Sequence, residues 1–131
     1  MSLQVFVVLP SSHPVKETVD RLVILLERAD MTIYARINRQ VESEWFGKHI
    51  LPFEYILCGN PELSGPIIEK NPLTALDLPL RIIAWEDNYS KCWVAYKDPE
   101  FLVNSYAVSY EDTIWLDLET IVGNALSANT F

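Results

Sequence analysis

Cys58 closes an apolar run and opens the stretch CGNPELSGPIIEKNP. A thiol at a strand end beside a turn rich in Gly, Asn and Pro can act as a nucleophile if a helix N-terminus or a histidine lowers its pKa. The sequence offers no such neighbour: His49 lies on the far side of an expected strand, and His13 falls near an expected helix start. Cys58 and Cys92 both sit in apolar runs and form no CxxC or Cys/His spacing, so both are expected as buried, reduced thiols, with a bridge between them left open. A thiol-dependent or acid/base enzyme centred on Cys58 is the alternative.

The turn Gly59-Asn60-Pro61, followed by Gly65-Pro66, could present backbone amides to an anion, helped by a helix expected to start near Pro66. It lacks the Gly-Lys-Ser/Thr ending that places phosphate and magnesium in a P-loop. The turn therefore reads as a stiff corner that also rims a pocket, with Cys58 and Asn60 facing it. Tyr34, Arg36 and Asn38 recur at period two and form the polar face of an expected strand, followed by Arg39. Arg and Asn can grip a carboxylate or an amide while Tyr packs beside it. The neighbouring carboxylates Glu86/Asp87 and Glu111/Asp112 make no acid/base couple, because successive residues on a strand point to opposite faces, and they are expected to be solvated. With no HxH or HExxH spacing, neither a metal site nor a cofactor is expected.

These residues must be positioned by a small number of elements. LQVFVVL (3–9) is apolar and β-branched and reads as a buried strand ending at Pro10. A helix follows from near Ser12, with Val15, Val19, Leu22, Val23 and Leu26 at helical spacing. MTIYARIN alternates Met31, Ile33, Ala35 and Ile37 against Thr32, Tyr34, Arg36 and Asn38, a strand with one apolar and one polar face. Two helical turns are expected between Gln40 and Gly47, then the strand FEYILCG, then a short helix from Gly65-Pro66 that Pro72 ends. LPLRIIAWED and KCWVAYKD flank Asn88-Tyr89-Ser90 and predict a β-hairpin whose Trp85 and Trp93 share a face that could build core, a ligand wall or a dimer surface, core being the first expectation. Asp98-Pro99 caps a short helix over 100–106, and a last helix from about Glu111 aligns Ile114, Leu118, Ile121, Val122 and Ala125. The sum is α+β, with about five strands and two principal helices.

The chain has 131 residues, half of them hydrophobic, enough for one domain spanning 1–131 with its own core. Its formal charge of -8 repels phosphate backbones and anionic lipid, and the most basic neighbourhood, Arg36 to Arg39, is followed at once by Glu42 and Glu44. Neither a nucleic-acid nor a membrane partner is expected. The apolar start is too short to span a bilayer and has neither a basic leader nor a small-residue cleavage site, which places the protein in the cytoplasm.

Three motifs occur in a fixed order: Gly59-Asn60-Pro61, Asp77-Leu78-Pro79-Leu80 and Tyr96-Lys97-Asp98-Pro99. Together they resemble the DUF302 family over nearly the whole chain. The resemblance implies a small α+β domain with a strand-helix-strand start, further strands and a C-terminal helix in a TATA-binding-protein-like arrangement, often associating as a dimer, and it implies no established activity. Family members commonly carry an Asp-His pair at the end of the second strand and a Phe before the Gly-Asn-Pro corner. This chain has Asn38-Arg39 and Cys58 there, so a histidine-based chemistry does not carry over.

The expected function is a non-enzymatic, homodimeric domain that binds a small anionic or amphipathic ligand near Arg36, Arg39 and Asn60, or that serves as an interaction module. A purely structural dimerisation module is a further alternative.

Overall fold

The computed structural model describes residues 6–107 and 118–129. Five strands, β1 (Phe6–Ser11), β2 (Thr32–Asn38), β3 (Phe53–Gly59), β4 (Leu80–Glu86) and β5 (Cys92–Lys97), form one antiparallel sheet in the order β1-β5-β4-β3-β2. The helices among the described residues are α1 (Val15–Arg28), α2 (Arg39–Glu44), α3 (Pro61–Lys70), α4 (Glu100–Tyr106) and α5 (Glu119–Leu126), with a 3-10 turn over Pro72–Leu76. The α+β expectation and its five strands hold.

Strand periodicity divides the sheet into two faces. Cys58 opposite Leu80, Ile56 opposite Ile82 and then Tyr96, and Ala84 opposite Val94 form buried rows on one face. α1 covers these rows with Val15, Val19, Leu22 and Leu26, whose spacing keeps them on one stripe, and α5 packs beside it through Val122, Ala125 and Leu126. Each fully buried aliphatic side chain contributes roughly 1.5–3 kcal/mol, so this stripe is what fastens α1 to the sheet. Arg21 on α1 adds a polar clamp: its Nε donates to the Ala125 carbonyl at 2.7 Å and its Nη2 to that of Asn129 at 2.6 Å. The His13 Nε2, 2.6 Å from the Ser127 carbonyl, ties down the same segment.

The opposite face carries Leu57, Arg81, Ile83, Trp85, Trp93, Ala95, Lys97, Phe6 and Val8, which are half-buried or exposed. No described helix packs over its centre in the way that α1 covers the other side.

Several expectations need correction. β1 is an edge strand with alternate residues exposed, not a buried one, and it runs through Pro10. A proline is tolerated there because an edge strand has one side without a ladder to complete. α3 starts at Pro61 rather than near Pro66. Asn60 caps it by accepting from Glu62 N and Leu63 N, Pro61 fits the first helical position, and Pro66 lies inside the helix. Trp85 and Trp93 do stand directly opposite each other, but on the open face, so they are half-buried rather than core. Asp87 is engaged rather than simply solvated: its carboxylate accepts from Tyr89 N, Lys91 N and Trp93 Nε1 and so closes the hairpin. The expected helix over 100–106 is α4, with Glu100 N donating to Asp98 Oδ1. The expected start of the last helix at Glu111, with Asp112, Ile114 and Trp115, lies outside the described residues.

Candidate functional site

The residues anticipated as a binding face are not brought together. Between Ile33 and Ala35 the register of β2 on β3 slips, with Ile33 opposite Cys58 and Ala35 opposite Leu57, so Tyr34 is the extra residue of a β-bulge. A bulge interrupts the two-residue alternation. Arg36, opposite Ile56, therefore turns to the α1 side, whereas Tyr34 lies over Gly59 on the open face, where a Cβ added to Gly59 would meet the Tyr34 ring at 3.6 Å. The single polar face expected for Tyr34, Arg36 and Asn38 does not exist.

Arg36, Asn38, Arg39 and Asn60 each have an internal partner. Arg36 Nε donates to Glu54 Oε1 at 2.8 Å and its Nη1 to Asp20 Oδ1 at 2.6 Å, which straps β2 to β3 and α1. Burial works against the Arg36 charge, but the hydrogen bonds with Glu54 and Asp20 outweigh it and raise its pKa. Asn38 Oδ1 accepts from Val41 N at 3.0 Å and caps α2, Arg39 Nη1 stands 3.6 Å from Glu42 Oε1, and Asn60 caps α3 while its Nδ2 reaches the Asp30 carbonyl. Cys58 is a free thiol, fully buried, and burial pushes its pKa up to about 12. That is the reverse of what a thiolate nucleophile needs. Cys92 is likewise free and buried, and its pKa is also raised by burial.

A concavity lies elsewhere, at the end of the open sheet face. A cavity of about 520 Å³ has Leu57, Arg81, Ile83, Ala95 and Lys97 as its floor, and Phe6 beside them. Its wall is the segment from Ala75 to Pro79 together with Pro99, Phe101 and Leu102 of the α4 junction. The floor follows from register: Leu57 is opposite Arg81, Phe6 is opposite Lys97, and the pairing of Ile82 with Tyr96 brings Arg81 and Lys97 to neighbouring strands.

The cavity's polar groups form a small network. Lys97 Nζ donates to Asp77 Oδ1 at 2.9 Å, the Tyr106 hydroxyl donates to Asp77 Oδ2, and the Lys97 ammonium also lies 5.0 Å from the Phe101 ring centre. Burial alone would raise the Asp77 carboxyl, but the bonds from Tyr106 and Lys97 hold it below the usual carboxylate range. Arg81 has no carboxylate partner among the described residues. It stacks over Tyr55, its guanidinium carbon 4.8 Å from the ring centre.

Sequence reading passed over Asp77, Arg81, Lys97 and Tyr106. A signal was nevertheless present. Asp77 and Lys97 belong to two of the three quoted motifs, and Arg81 interrupts the apolar run LPLRIIAW. In space the three motifs converge: a Cβ on Gly59 would lie 3.6 Å from Pro79, and Pro79 and Pro99 both line the cavity. Among the described residues, no group of three or more His, Cys, Asp or Glu side chains is placed to hold a metal ion.

Comparison with known proteins agrees with this architecture. A crystal structure of an uncharacterized conserved DUF302 protein from Bacillus stearothermophilus superposes with a TM-score of 0.77 at 18% identity, covering 95% of this chain and 97% of that one. Among curated proteins, the fluoride-specific ion channel FluC 1 of Brucella suis biovar 1 is 28% identical over 108 residues, which are 82% of this chain and 42% of that protein. FluC 1 of Brucella abortus biovar 1 is also 28% identical over 108 residues, 40% of its length. The chain thus spans about two fifths of the length of the curated relatives it matches. No helix among the described residues is long and apolar enough to cross a membrane. The profile of the family described as "Domain of unknown function DUF302" matches residues 7–125, and the chain belongs to that family.

Proposed function

We propose that this domain binds a small organic ligand in the cavity at the end of its open sheet face. The observation that carries this reading is a concavity of about 520 Å³ with apolar walls and only a few polar side chains, Asp77, Arg81 and Lys97 among them. That size and balance are typical of small-molecule sites. The anionic or amphipathic ligand expected from sequence is retained, but its place moves from Arg36, Arg39 and Asn60, whose polar atoms are engaged in ion pairs or helix capping.

Native mass spectrometry of the protein purified from cells, compared with its denatured mass, tests this reading. A retained small molecule that is lost on Ile83→Trp, which fills the cavity floor, is the expected outcome. A retained molecule that survives the substitution would place binding elsewhere.

A second reading, self-association, is favoured by exposed apolar residues on the same face as the cavity: Phe6 is 62% exposed, Val8 51% and Tyr34 47%. The same spectrum reports stoichiometry. A dimer supports association through this face if Val8→Glu dissociates it, and a monomer at micromolar concentration removes the reading.

A further inference from the structure

The charges around the cavity restrict the ligand more narrowly than its volume does. Asp77 is bonded to Lys97 and to the Tyr106 hydroxyl, so the Lys97 charge is balanced and the phenol proton is already in use. Arg81, on the neighbouring strand, has no such balance among the described residues. Two cations side by side on one sheet face repel each other, and one carboxylate offsets only one of them. A cationic ligand would add to that repulsion. A dianion would leave an unmatched negative charge against apolar walls, which is strongly disfavoured.

From this arrangement we infer that the ligand is an amphipathic monoanion of the carboxylate class, its carboxylate paired with Arg81 and its apolar body lying against Leu57, Ile83 and Phe101. The inference rests on the ligand-binding reading of the same cavity. A planar guanidinium offers a carboxylate two parallel N–H donors, which a lysine cannot. Stacking on Tyr55 restrains the Arg81 head group, which lowers the ordering cost of binding. At the mouth, Phe6 at 62% and Leu76 at 79% exposure give a longer apolar body somewhere to rest.

Isothermal titration calorimetry at pH 7 with decanoate, kept below micelle formation, and decanol, kept below its solubility limit, separates ligand binding in the cavity from recognition of the anion. The wild-type protein is expected to bind decanoate at least about tenfold more tightly than decanol, the worth of one charge-assisted hydrogen bond. Arg81→Gln is expected to bring the two ligands to within about twofold of each other, and Arg81→Lys to keep part of the preference. Arg81 is exposed on the sheet surface, so these variants should fold, and a thermal melt checks that they do. If wild type binds both ligands equally and Ile83→Trp abolishes both, the anion inference falls while the cavity stands. If neither ligand binds the wild-type protein at the highest concentration at which both stay dissolved, both fall.

Discussion

Arg36 Nε and Glu54 Oε1 lie 2.8 Å apart on neighbouring strands, and the Glu54 side chain is buried while Arg36 is half-exposed. The buried carboxylate depends on that guanidinium for compensation, and Asp20 on α1 holds its other arm. Arg36→Ala should therefore destabilise the fold by about 2–3 kcal/mol, less than a fully buried pair would cost because solvent reaches the arginine. Replacing both partners, as Arg36→Met with Glu54→Leu, should recover most of the loss. Urea unfolding of the single and double variants measures it, and equal losses in both would show that Glu54 was not the stranded group.

Acid should destabilise the protein through two named carboxylates. Burial tends to raise both Asp20 and Asp77, but hydrogen bonds from Arg36 and Lys16 to the former, and from Tyr106 and Lys97 to the latter, hold each below the usual range. A carboxyl with a depressed folded pKa contributes stability that is fully present above its unfolded pKa, near about 3.9, and is lost as pH falls through the folded value. The melting temperature is expected to decline below about pH 4. Tyr106→Phe should make that decline shallower by returning Asp77 towards its ordinary value. An unchanged acid limb in Tyr106→Phe would mean that the phenol does not set the Asp77 pKa.

Cys58 should be nearly inert in the native state. With burial pushing its pKa up to about 12, the thiolate fraction near neutral pH is on the order of a thousandfold below that of an ordinary cysteine. Iodoacetamide at pH 8 is expected to modify Cys58 only after urea unfolding, as read by peptide mass spectrometry. Rapid native alkylation would revive a thiol chemistry at this position.

The elements were largely legible in sequence because they repeat a simple period. The α1 stripe of Val15, Val19, Leu22 and Leu26 and the hairpin around Asn88-Tyr89-Ser90 both follow directly from spacing. The anticipated site failed at one residue. Nothing in TIYARIN signals that Tyr34 bulges, and that single extra residue sends Arg36 to the helix side, where Asp20 and Glu54 are waiting. Likewise, the cavity joins residues from β1, β3, β4, β5, the Pro72–Leu76 turn and α4, segments far apart in the chain. Local patterns cannot show that Asp77 and Lys97 meet, since their contact depends on the order in which the strands pair.

Asn60 distinguishes an architectural reading of the Gly-Asn-Pro segment from a ligand-binding one. Its Oδ1 accepts from Glu62 N at 3.1 Å and Leu63 N at 3.3 Å, so the amides that an anion would seek at the start of α3 are already bonded. Asn60→Ala removes that cap and should destabilise the protein by about 1 kcal/mol, whereas Asn60→Asp or Asn60→Ser should restore most of the loss, because each keeps an oxygen acceptor at the N-cap. Decanoate affinity, measured on the same variants at a temperature where all remain folded, is expected to stay at the wild-type value. If affinity instead fell in Asn60→Ala and was not restored by Asn60→Ser, the side-chain amide itself would be contacting ligand, and the binding site would have to extend from the Arg81 cavity across Gly59 to the start of α3.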